Sequence, residues 1–353
     1  MATKKAFIVL TILLFIVTAL FFFANSSEHS AQAVIDEDFS SQYNNNTVFE
    51  IDDIEDWKRI KEHIEAYDFL DKTIILNCDL DLKLYPGSLD NFRGTFEGNH
   101  HKVINITKPF INEIKSQGVL KDLYFYNADI TSHNAVVATY NMGTIDNVSA
   151  HGTISYADGK GLVYLNNGTI KDSISYLKII DTSTSIKSFV SGVAGVNTGQ
   201  IVNSHFMGSI TGTNNSVIGG LTAQNQGAIE KSSARFNLII NIIKSNNNLV
   251  AGGLVGDNGY SFDYEGEIAN SFAVIDVEYI TENPIPTSLS VSGLIGNSIN
   301  TDMQNCYSDI KGQGTLYGII SRSEAEPVYE DPEIEDVIVD YILTGTDSID
   351  NCF

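Results

Sequence analysis

The sequence predicts an all-β fold, a right-handed parallel β-helix (solenoid) with an N-terminal capping α-helix. Two short phrases that recur along the chain predict it, together with the composition. Of the 353 residues, 28 are Gly and only 18% are charged, a balance that favours β-strands joined by tight turns over helical bundles. Hydrophobic residues make up 43% of the chain, which is enough for a buried core.

The first recurring phrase reads Gly, any residue, an aliphatic residue, any residue, Asn or Asp, and then a small or aliphatic residue. Its copies begin at Gly118, Gly143, Gly168, Gly199, Gly227, Gly266 and, in degraded form, Thr301. By subtraction, successive copies start 25, 25, 31, 28, 39 and 35 residues apart. A unit of this length cannot bury its own inner face, but stacked units bury it by aligning equivalent residues.

Stacking predicts two buried aliphatic columns and one ladder of turn residues. The third position of the phrase supplies the first column: Leu120, Ile145, Ile170, Ile201, Ile229, Ile268 and Met303. A second phrase, Gly followed by an aliphatic residue and often another Gly, supplies the second column: Leu162, Val193, Leu221, Leu254, Leu294 and Ile319. The fifth position of the first phrase supplies the ladder, which we expect to be structural: Asp122, Asn147, Asp172, Asn203, Asn270 and Asn305.

The amino terminus predicts export. Lys4 and Lys5 precede an uninterrupted apolar run over residues 6–24, and Ala31-Gln32-Ala33 supplies the small-x-small pattern of a cleavage site. The run is also nearly long enough to span a bilayer, so a retained signal anchor is the alternative. In both cases the two lysines place the rest of the chain outside.

Five segments follow from these patterns. Residues 1–33 form a signal peptide or signal anchor, and 34–51 an exported linker. Residues 52–117 form the cap helix and first coils, 118–323 the repeats, and 324–353 an acidic C-terminal cap or tail. We expect membrane contact only through residues 6–24.

Charge and cysteine content limit the partners. Lys and Arg number 21 against 44 Asp and Glu, a formal charge of −23, which repels phosphate backbones and argues against nucleic-acid binding. The three cysteines do not make a disulfide framework, although Cys306 and Cys352 could pair; the alternative is that they are small buried hydrophobes. No spacing of Cys and His predicts a zinc site, and no cofactor site is predicted.

Residues 52–69 have the pattern of a helix. Asp52 or Asp53 can cap its amino end, and Ile54, Trp57 and Ile60 begin an apolar stripe. The open end of a solenoid exposes its core and strand edges, so we expect this helix to cover that end with Trp57 as a plug.

Two stretches resemble a known family. Asp79-Leu80-Asp81-Leu82, followed by residues 92–99, resembles the start of bacterial surface β-helix proteins, and Gly252-Gly253-Leu254-Val255-Gly256 is similar to their GLUG repeat. Residues 161–163 and 220–223 depart from the pattern because they lack its final glycine. The resemblance implies surface exposure and adhesin-like binding on the solenoid architecture of pectate lyases, and it does not imply catalysis.

Sequence motifs give no support to catalysis. HExxH, GxSxG and P-loop motifs are absent in a suitable context. A polysaccharide lyase or glycoside hydrolase is the strongest enzyme alternative, since glycosidases need two nearby carboxylates. Asp79 and Asp81 share a face, and Asp122 and Asp146 lie near turns, but all four fit hydrogen-bonding roles in the fold. We therefore predict no catalytic residue and no metal ligand.

Exposed aromatic residues predict binding instead. Tyr260, Phe262 and Tyr264 lie in a polar insertion and are the predicted ligand-binding residues, with Tyr124 and Tyr126 as further candidates. Some of these can belong to the core. The expected function is non-catalytic, adhesin-like binding of an extracellular glycan or protein, and a structural stalk or spacer is a third alternative.

Cleavage after Ala33 predicts that the exported protein begins at Val34. N-terminal sequencing of the exported chain tests this. A sequence that still contains residues 6–24 would instead establish the signal anchor.

Overall fold

The computed structural model describes residues 37–184, 187–242, 249–259, 266–281, 289–299, 301–320, 348–350 and 352. The chain divides into two compact units, residues 1–45 and 46–353. The described part of the first unit is helix α1 (Glu37–Asn45). The predicted signal segment lies outside the described residues, and neither described helix is long and apolar enough to cross a membrane.

The second unit consists mainly of short parallel strands in three sheets of 18, 7 and 5 strands. The largest sheet has two rows. The first row contains β1 (Val48–Ile51), β2 (Thr73–Leu76), β4 (Thr95–Glu97), β11 (Thr169–Lys171), β15 (Gln200–Val202), β19 (Ala228–Glu230), β23 (Gly266–Ala269), β27 (Thr301–Gln304) and β30 (Ser348–Asp350). The second row contains β3 (Leu80–Asp81), β5 (Lys102–Ile104), β12 (Ile174–Ile180), β16 (His205–Thr213), β20 (Ser233–Asn241), β24 (Phe272–Ile280) and β28 (Tyr307–Gly312). Two long strands, β7 (Val119–Ile130) and β9 (Thr144–Ser155), run through both rows.

The two smaller sheets complete each turn of the chain. The seven-stranded sheet contains β6 (Ile111–Ile114), β8 (Ala138–Asn141), β10 (Val163–Asn166), β14 (Ala194–Asn197), β18 (Thr222–Asn225), β22 (Val255–Asn258) and β26 (Ile295–Ser298). The five-stranded sheet contains β13 (Ser188–Ser191), β17 (Ser216–Gly219), β21 (Val250–Gly252), β25 (Ser290–Ser292) and β29 (Thr315–Tyr317). One coil therefore passes through β13, β14, β15 and β16 before β17 begins the next, which is consistent with a parallel β-helix. We call the three sheets together the stack.

The first predicted aliphatic column is confirmed by the strand register. Leu120 pairs with Ile145, and the pairing continues residue by residue to Met303. The same column extends toward the amino end through Phe96, Ile74 and Phe49. All of these side chains are buried, because in-register parallel strands place every copy of one repeat position on the same inner line.

The second predicted column is also confirmed. The Leu162 amide donates to the Val193 carbonyl at 2.8 Å, and the Leu221 amide donates to Leu254 at the same distance. Leu294 donates in turn to the Ile319 carbonyl. Each backbone link joins a buried aliphatic residue to its copy in the next coil.

The predicted turn ladder lies at the corner between the two rows of the large sheet. Its six residues have φ between 45° and 53°, a left-handed conformation that Asn and Asp tolerate better than most residues. Asn147 Nδ2 donates to Asp122 Oδ1 at 2.6 Å, and Asn203 donates to Asp172 at the same distance. Lys231 occupies the same corner with φ of 52°.

A second asparagine ladder is fully buried. Asn141, Asn166, Asn197, Asn225 and Asn258 are each at most 1% exposed. Each Nδ2 donates to the Oδ1 of the next asparagine at 2.7–2.8 Å, and Asn258 ends the ladder on the Thr301 hydroxyl at 2.7 Å. Each interior amide thus bonds to its neighbours, which removes the cost of burying it.

A row of serines follows the corner on the inner side. Ser173, Ser204, Ser232 and Ser271 each donate their hydroxyl to the carbonyl two residues earlier, at 2.8–2.9 Å. The same hydroxyls accept a backbone N–H from the preceding coil at 3.1–3.2 Å. The serines therefore link coils at a buried bend where an aliphatic residue would leave backbone groups without partners.

The predicted helix over 52–69 is shorter than expected. Helix α2 (Ile54–His63) begins after Asp53, whose Oδ1 accepts the amides of Glu55 and Asp56. The sequence pattern extends to residue 69, but Phe69 has φ of 59° and is fully buried. Residues 64–69 instead leave the helix through a turn, and Phe69 packs into the core.

The prediction that residues 34–51 form a linker is wrong for residues 48–51, which form strand β1. It pairs with β2 in register from Val48 with Thr73 to Ile51 with Leu76, and so begins the stack. No copy of the glycine phrase marks this strand, which explains why the repeats did not reveal it. At the other end, β30 adds to β27, within the segment predicted as a C-terminal cap or tail.

One lysine is buried among polar groups between coils. Lys160 Nζ lies 2.7 Å from Asp158 Oδ1, also donates to the Phe189 carbonyl, and its side chain is 2% exposed. Burial lowers the pKa of Lys160 to about 8, although Asp158 acts in the opposite direction.

The buried asparagine ladder predicts a large cost for its central member. In Asn197→Ala the Asn166 Nδ2 atom keeps only the Gln200 and Gly168 carbonyls, at 3.1 and 3.4 Å, and Asn225 Oδ1 keeps only the Gly227 amide at 3.4 Å. Both groups lose their shortest hydrogen bond, so we expect the free energy of unfolding to fall by about 1–3 kcal/mol. Asn167→Ala, at the exposed neighbouring turn, is the control, and it should lower the free energy of unfolding by much less. Denaturant unfolding measures both. Equal losses would show that the buried ladder contributes no more than a surface turn.

Lys160 predicts a pH-dependent stability. Because its folded pKa is lowered, the unfolded state binds more protons between about pH 8 and 10.5, and stability rises with pH across that window. Wild type should gain about 3 kcal/mol relative to Lys160→Met as pH rises from 7 to 10.5. Lys187→Met, at an exposed lysine, should show no such difference. Urea unfolding at the two pH values tests this, and parallel profiles for wild type and Lys160→Met would contradict it.

Candidate ligand-binding face

The predicted ligand-binding residues Tyr260, Phe262 and Tyr264 lie outside the described residues. The structure does describe the two further candidates, Tyr124 and Tyr126, which lie on β7 and point away from the core. They alternate with Leu123 and Phe125, whose side chains are fully buried, as expected of a strand with one buried face. Tyr124 and Tyr126 therefore belong to the outer surface of the large sheet.

Tyr126 begins an exposed stack of aromatic rings. His151 lies 4.5 Å from Tyr126, with an angle of 13° between the ring planes, and Tyr176 lies 4.5 Å from His151 at 16°. We call these three residues the aromatic row. Tyr126 is 39% exposed and Tyr176 37%. Neighbouring strands lie about 4.8 Å apart. Flat rings at equivalent positions of successive strands are therefore close enough to stack face to face.

Charged and flexible side chains continue the row at both ends. Lys102 Nζ lies 5.3 Å from the centre of the Tyr126 ring, within range of a cation–π contact. At the other end Met207 follows Tyr176 in the register, and Arg235 follows Met207. Met207 is 44% exposed. Six adjacent strands thus contribute a cation, three aromatic rings, a methionine and an arginine to this part of the surface.

A β-bulge positions the first ring. The register between β7 and β9 shifts between Phe125 and Ala128, so Tyr126 and Asn127 together face a single residue of β9. Asn127 takes a left-handed conformation with φ of 53°. Such a bulge bends its strand locally and re-aims the adjacent side chain.

Tyr124 belongs to a neighbouring row on the same surface. It stacks with His100 at 6.0 Å between ring centres, and His100 Nδ1 lies 3.2 Å from the Tyr124 hydroxyl. The same row ends at the far side of the sheet with Phe272 and Tyr307, whose rings stack at 4.9 Å and 4°. Aromatic contacts therefore occur at both ends of this surface.

The environment of the imidazole in the aromatic row favours its neutral form. Partial burial between the tyrosine rings lowers the pKa of His151, and burial lowers the pKa of His205 as well. Lys102, Lys178 and Arg235 are exposed near the row, and the exposed Asp129 lies on the same outer line as Lys178. The formal charges around the row are therefore mixed, with three cations beside one carboxylate.

The carboxylates of the enzyme alternative have structural partners. Asp79 Oδ1 accepts the Lys102 amide at 3.0 Å, and this hydrogen bond lowers the pKa of Asp79. Asp81 Oδ1 accepts Asn105 Nδ2 at 2.9 Å, which lowers its pKa as well. A general acid needs the opposite shift. Neither carboxyl has the raised pKa of a general acid.

The same two carboxylates line a cleft of about 730 Å³ together with Asp52, Asp53 and Cys78. Like Asp79 and Asp81, these two acids have hydrogen-bond partners within the fold. Asp53 caps helix α2, and Asp52 Oδ1 accepts Asn77 Nδ2 at 2.8 Å. Among the described residues no group of three or more His, Cys, Asp or Glu side chains is arranged to hold a metal ion.

The glycine phrases do not reveal the aromatic row, because its residues occupy outer positions that the phrases do not define. Its members are nevertheless spaced by the repeat: 151 minus 126 and 176 minus 151 both give 25, the spacing of the first two intervals of the phrase. Met207 follows after 31 residues, which equals the next interval. Reading the outer positions at the repeat spacing would have found the row.

Comparison with known proteins adds no relative. No protein-family model matches the chain, and no curated protein matches it significantly in sequence. The GLUG-repeat resemblance stays a prediction that rests on the residues quoted above.

Proposed function

We propose that this chain is an exported, non-catalytic repeat protein of the cell surface or secreted fraction, which binds a protein ligand in an adhesin-like manner. The observation that carries the proposal is the aromatic row with its flanking Lys102, Met207 and Arg235. Tyrosine, methionine and arginine are the residue types enriched where proteins bind one another. Here they occupy one exposed line on a flat sheet.

The geometry favours a protein over a glycan as the ligand. Sugars pack against the open faces of aromatic rings, but both faces of His151 and one face of each tyrosine in this row are covered by a neighbouring ring at 4.5 Å. What the row presents outward is ring edges, the tyrosine hydroxyls and an imidazole nitrogen. Such a surface combines apolar contact with hydrogen bonding, which suits a protein partner.

Rigidity supports the same proposal. Rings that already stack on each other lose little freedom when a partner binds, so less of the contact energy is lost to ordering. Lys102, Lys178 and Arg235 would attract acidic groups at the rim of such a partner. A stalk would need none of these features.

The finer architecture belongs to the same proposal. We infer a right-handed β-helix, since a right-handed path is the rule for parallel strands joined by crossovers. Helix α2 would cap its first coil, and two contacts support this. Trp57 is fully buried and stacks on Phe110, which lies just before β6, at 5.0 Å and 12°, and Lys61 donates to the Pro86 carbonyl at 3.1 Å. Export would follow from residues 1–33.

The test is a binding assay with immobilised extracellular-matrix proteins and a glycan array as probes. For a matrix protein that binds wild type, the double variant Tyr126→Ala and Tyr176→Ala should bind at least about 30-fold more weakly, as expected when a binding hot spot is removed. Tyr307→Ala is the matched control, because Tyr307 is an exposed, stacked tyrosine on the same sheet. Thermal unfolding should be similar for all variants.

Three results would contradict the proposal. Equal affinity of wild type and the double variant would exclude the aromatic row as the binding site. Binding confined to the glycan array would replace the protein ligand by a carbohydrate. Binding to neither set of probes would favour the stalk.

A further inference from the structure

Two thiols meet at the carboxyl end of the stack. Strand β30 pairs with β27, with Met303 opposite Ile349 and Gln304 opposite Asp350. Cys306 and Cys352 each follow the last of these pairs by two residues, so the register places them side by side. The Cys306 amide donates to Cys352 Sγ at 3.4 Å. The structure holds both cysteines as thiols.

We propose that Cys306 and Cys352 form a disulfide that fastens β30 to the stack. Neighbouring strands lie about 4.7–4.9 Å apart, and a disulfide needs a Cα separation of about 4.4–6.8 Å. Because the two cysteines directly follow this strand pair, the bond would require little movement of either segment. It would cross-link positions that are 46 residues apart in sequence.

The position of Cys306 in the repeat supports this assignment. In four earlier coils the equivalent position is occupied by Ser173, Ser204, Ser232 and Ser271. Cys306 Sγ donates to the Gln304 carbonyl at 3.2 Å, as Ser271 Oγ does to Ala269 at 2.8 Å. A serine would thus meet the local hydrogen-bonding need, and the thiol replaces it in the coil that adjoins Cys352.

Accessibility sets the order of reaction with a small disulfide oxidant such as oxidised glutathione. Cys352 is partly exposed, whereas Cys306 is 1% exposed. The hydrogen bond with Cys352 and burial both raise the pKa of Cys306, so its thiolate is scarce. Cys352 is therefore the thiol that meets the oxidant first.

The exchange then proceeds in two balanced steps. The Cys352 thiolate attacks one sulfur of oxidised glutathione, whose S–S bond breaks, and one glutathione leaves as a thiolate. Cys306 then attacks Cys352 Sγ, the bond from Cys352 to the second glutathione breaks, and the Cys306 proton passes to the departing glutathione thiolate. Two protein thiols are oxidised, and one glutathione disulfide is reduced to two thiols.

The experiment equilibrates the full chain with mixtures of reduced and oxidised glutathione, traps remaining thiols with N-ethylmaleimide and maps the peptides by mass spectrometry. We expect a linked peptide that joins Cys306 to Cys352, while Cys78 is alkylated and serves as the internal control. In limited proteolysis the oxidised chain should lose its carboxyl end about tenfold more slowly than the reduced chain.

Two variants keep the test independent of misfolding. Cys306→Ser restores the serine of the earlier coils, so the stack should fold normally, and Cys352→Ser removes the partner. In both, oxidised glutathione should no longer slow proteolysis of the carboxyl end. Alkylation of all three wild-type cysteines at every glutathione ratio would overturn the proposal, as would a stable glutathione adduct on Cys352 without the linked peptide.

Discussion

In-register parallel stacking is the constraint on which the rest of this structure depends. It places every residue of a coil against its own equivalent in the coils on either side. An inward position must therefore hold a residue that packs against, or hydrogen-bonds to, copies of itself. Aliphatic residues meet the first condition in both columns. Asparagine meets the second, because its amide carries a donor and an acceptor that link one copy to the next.

The same constraint shapes the outer surface, where no core demands identity. Outside positions are free to vary from coil to coil, and most carry polar or charged groups. Where aromatic residues fall on one outer line, as Tyr126, His151 and Tyr176 do, the strand spacing brings their rings into contact. The architecture thus converts a sequence spacing into a rigid surface feature.

Much of the fold follows from the sequence because the glycine phrase marks the coils. Both aliphatic columns were predictable, since one buried residue type recurs at one position. The helix end was not, because the burial of Phe69 is decided by the tertiary core. Strand β1 carries no phrase at all. The buried asparagine ladder could not be predicted, because an Asn close to Gly indicates a corner equally well whether its side chain points inward or outward. The aromatic row shares the repeat spacing but contains different residue types. It is therefore not visible as one residue type that recurs at one repeat position.

The buried asparagine ladder also has a direction. Each amide donates toward the carboxyl end, from Asn141 through to the Thr301 hydroxyl. An extra coil that carried an asparagine at this position would accept from the coil before it and donate to the coil after it, leaving the bonding of the others unchanged. Length can therefore change by duplication or deletion of whole coils, whereas a coil that lost its asparagine would interrupt the relay. At the carboxyl end, the Thr301 hydroxyl would still accept the last asparagine amide, whatever the number of coils before it.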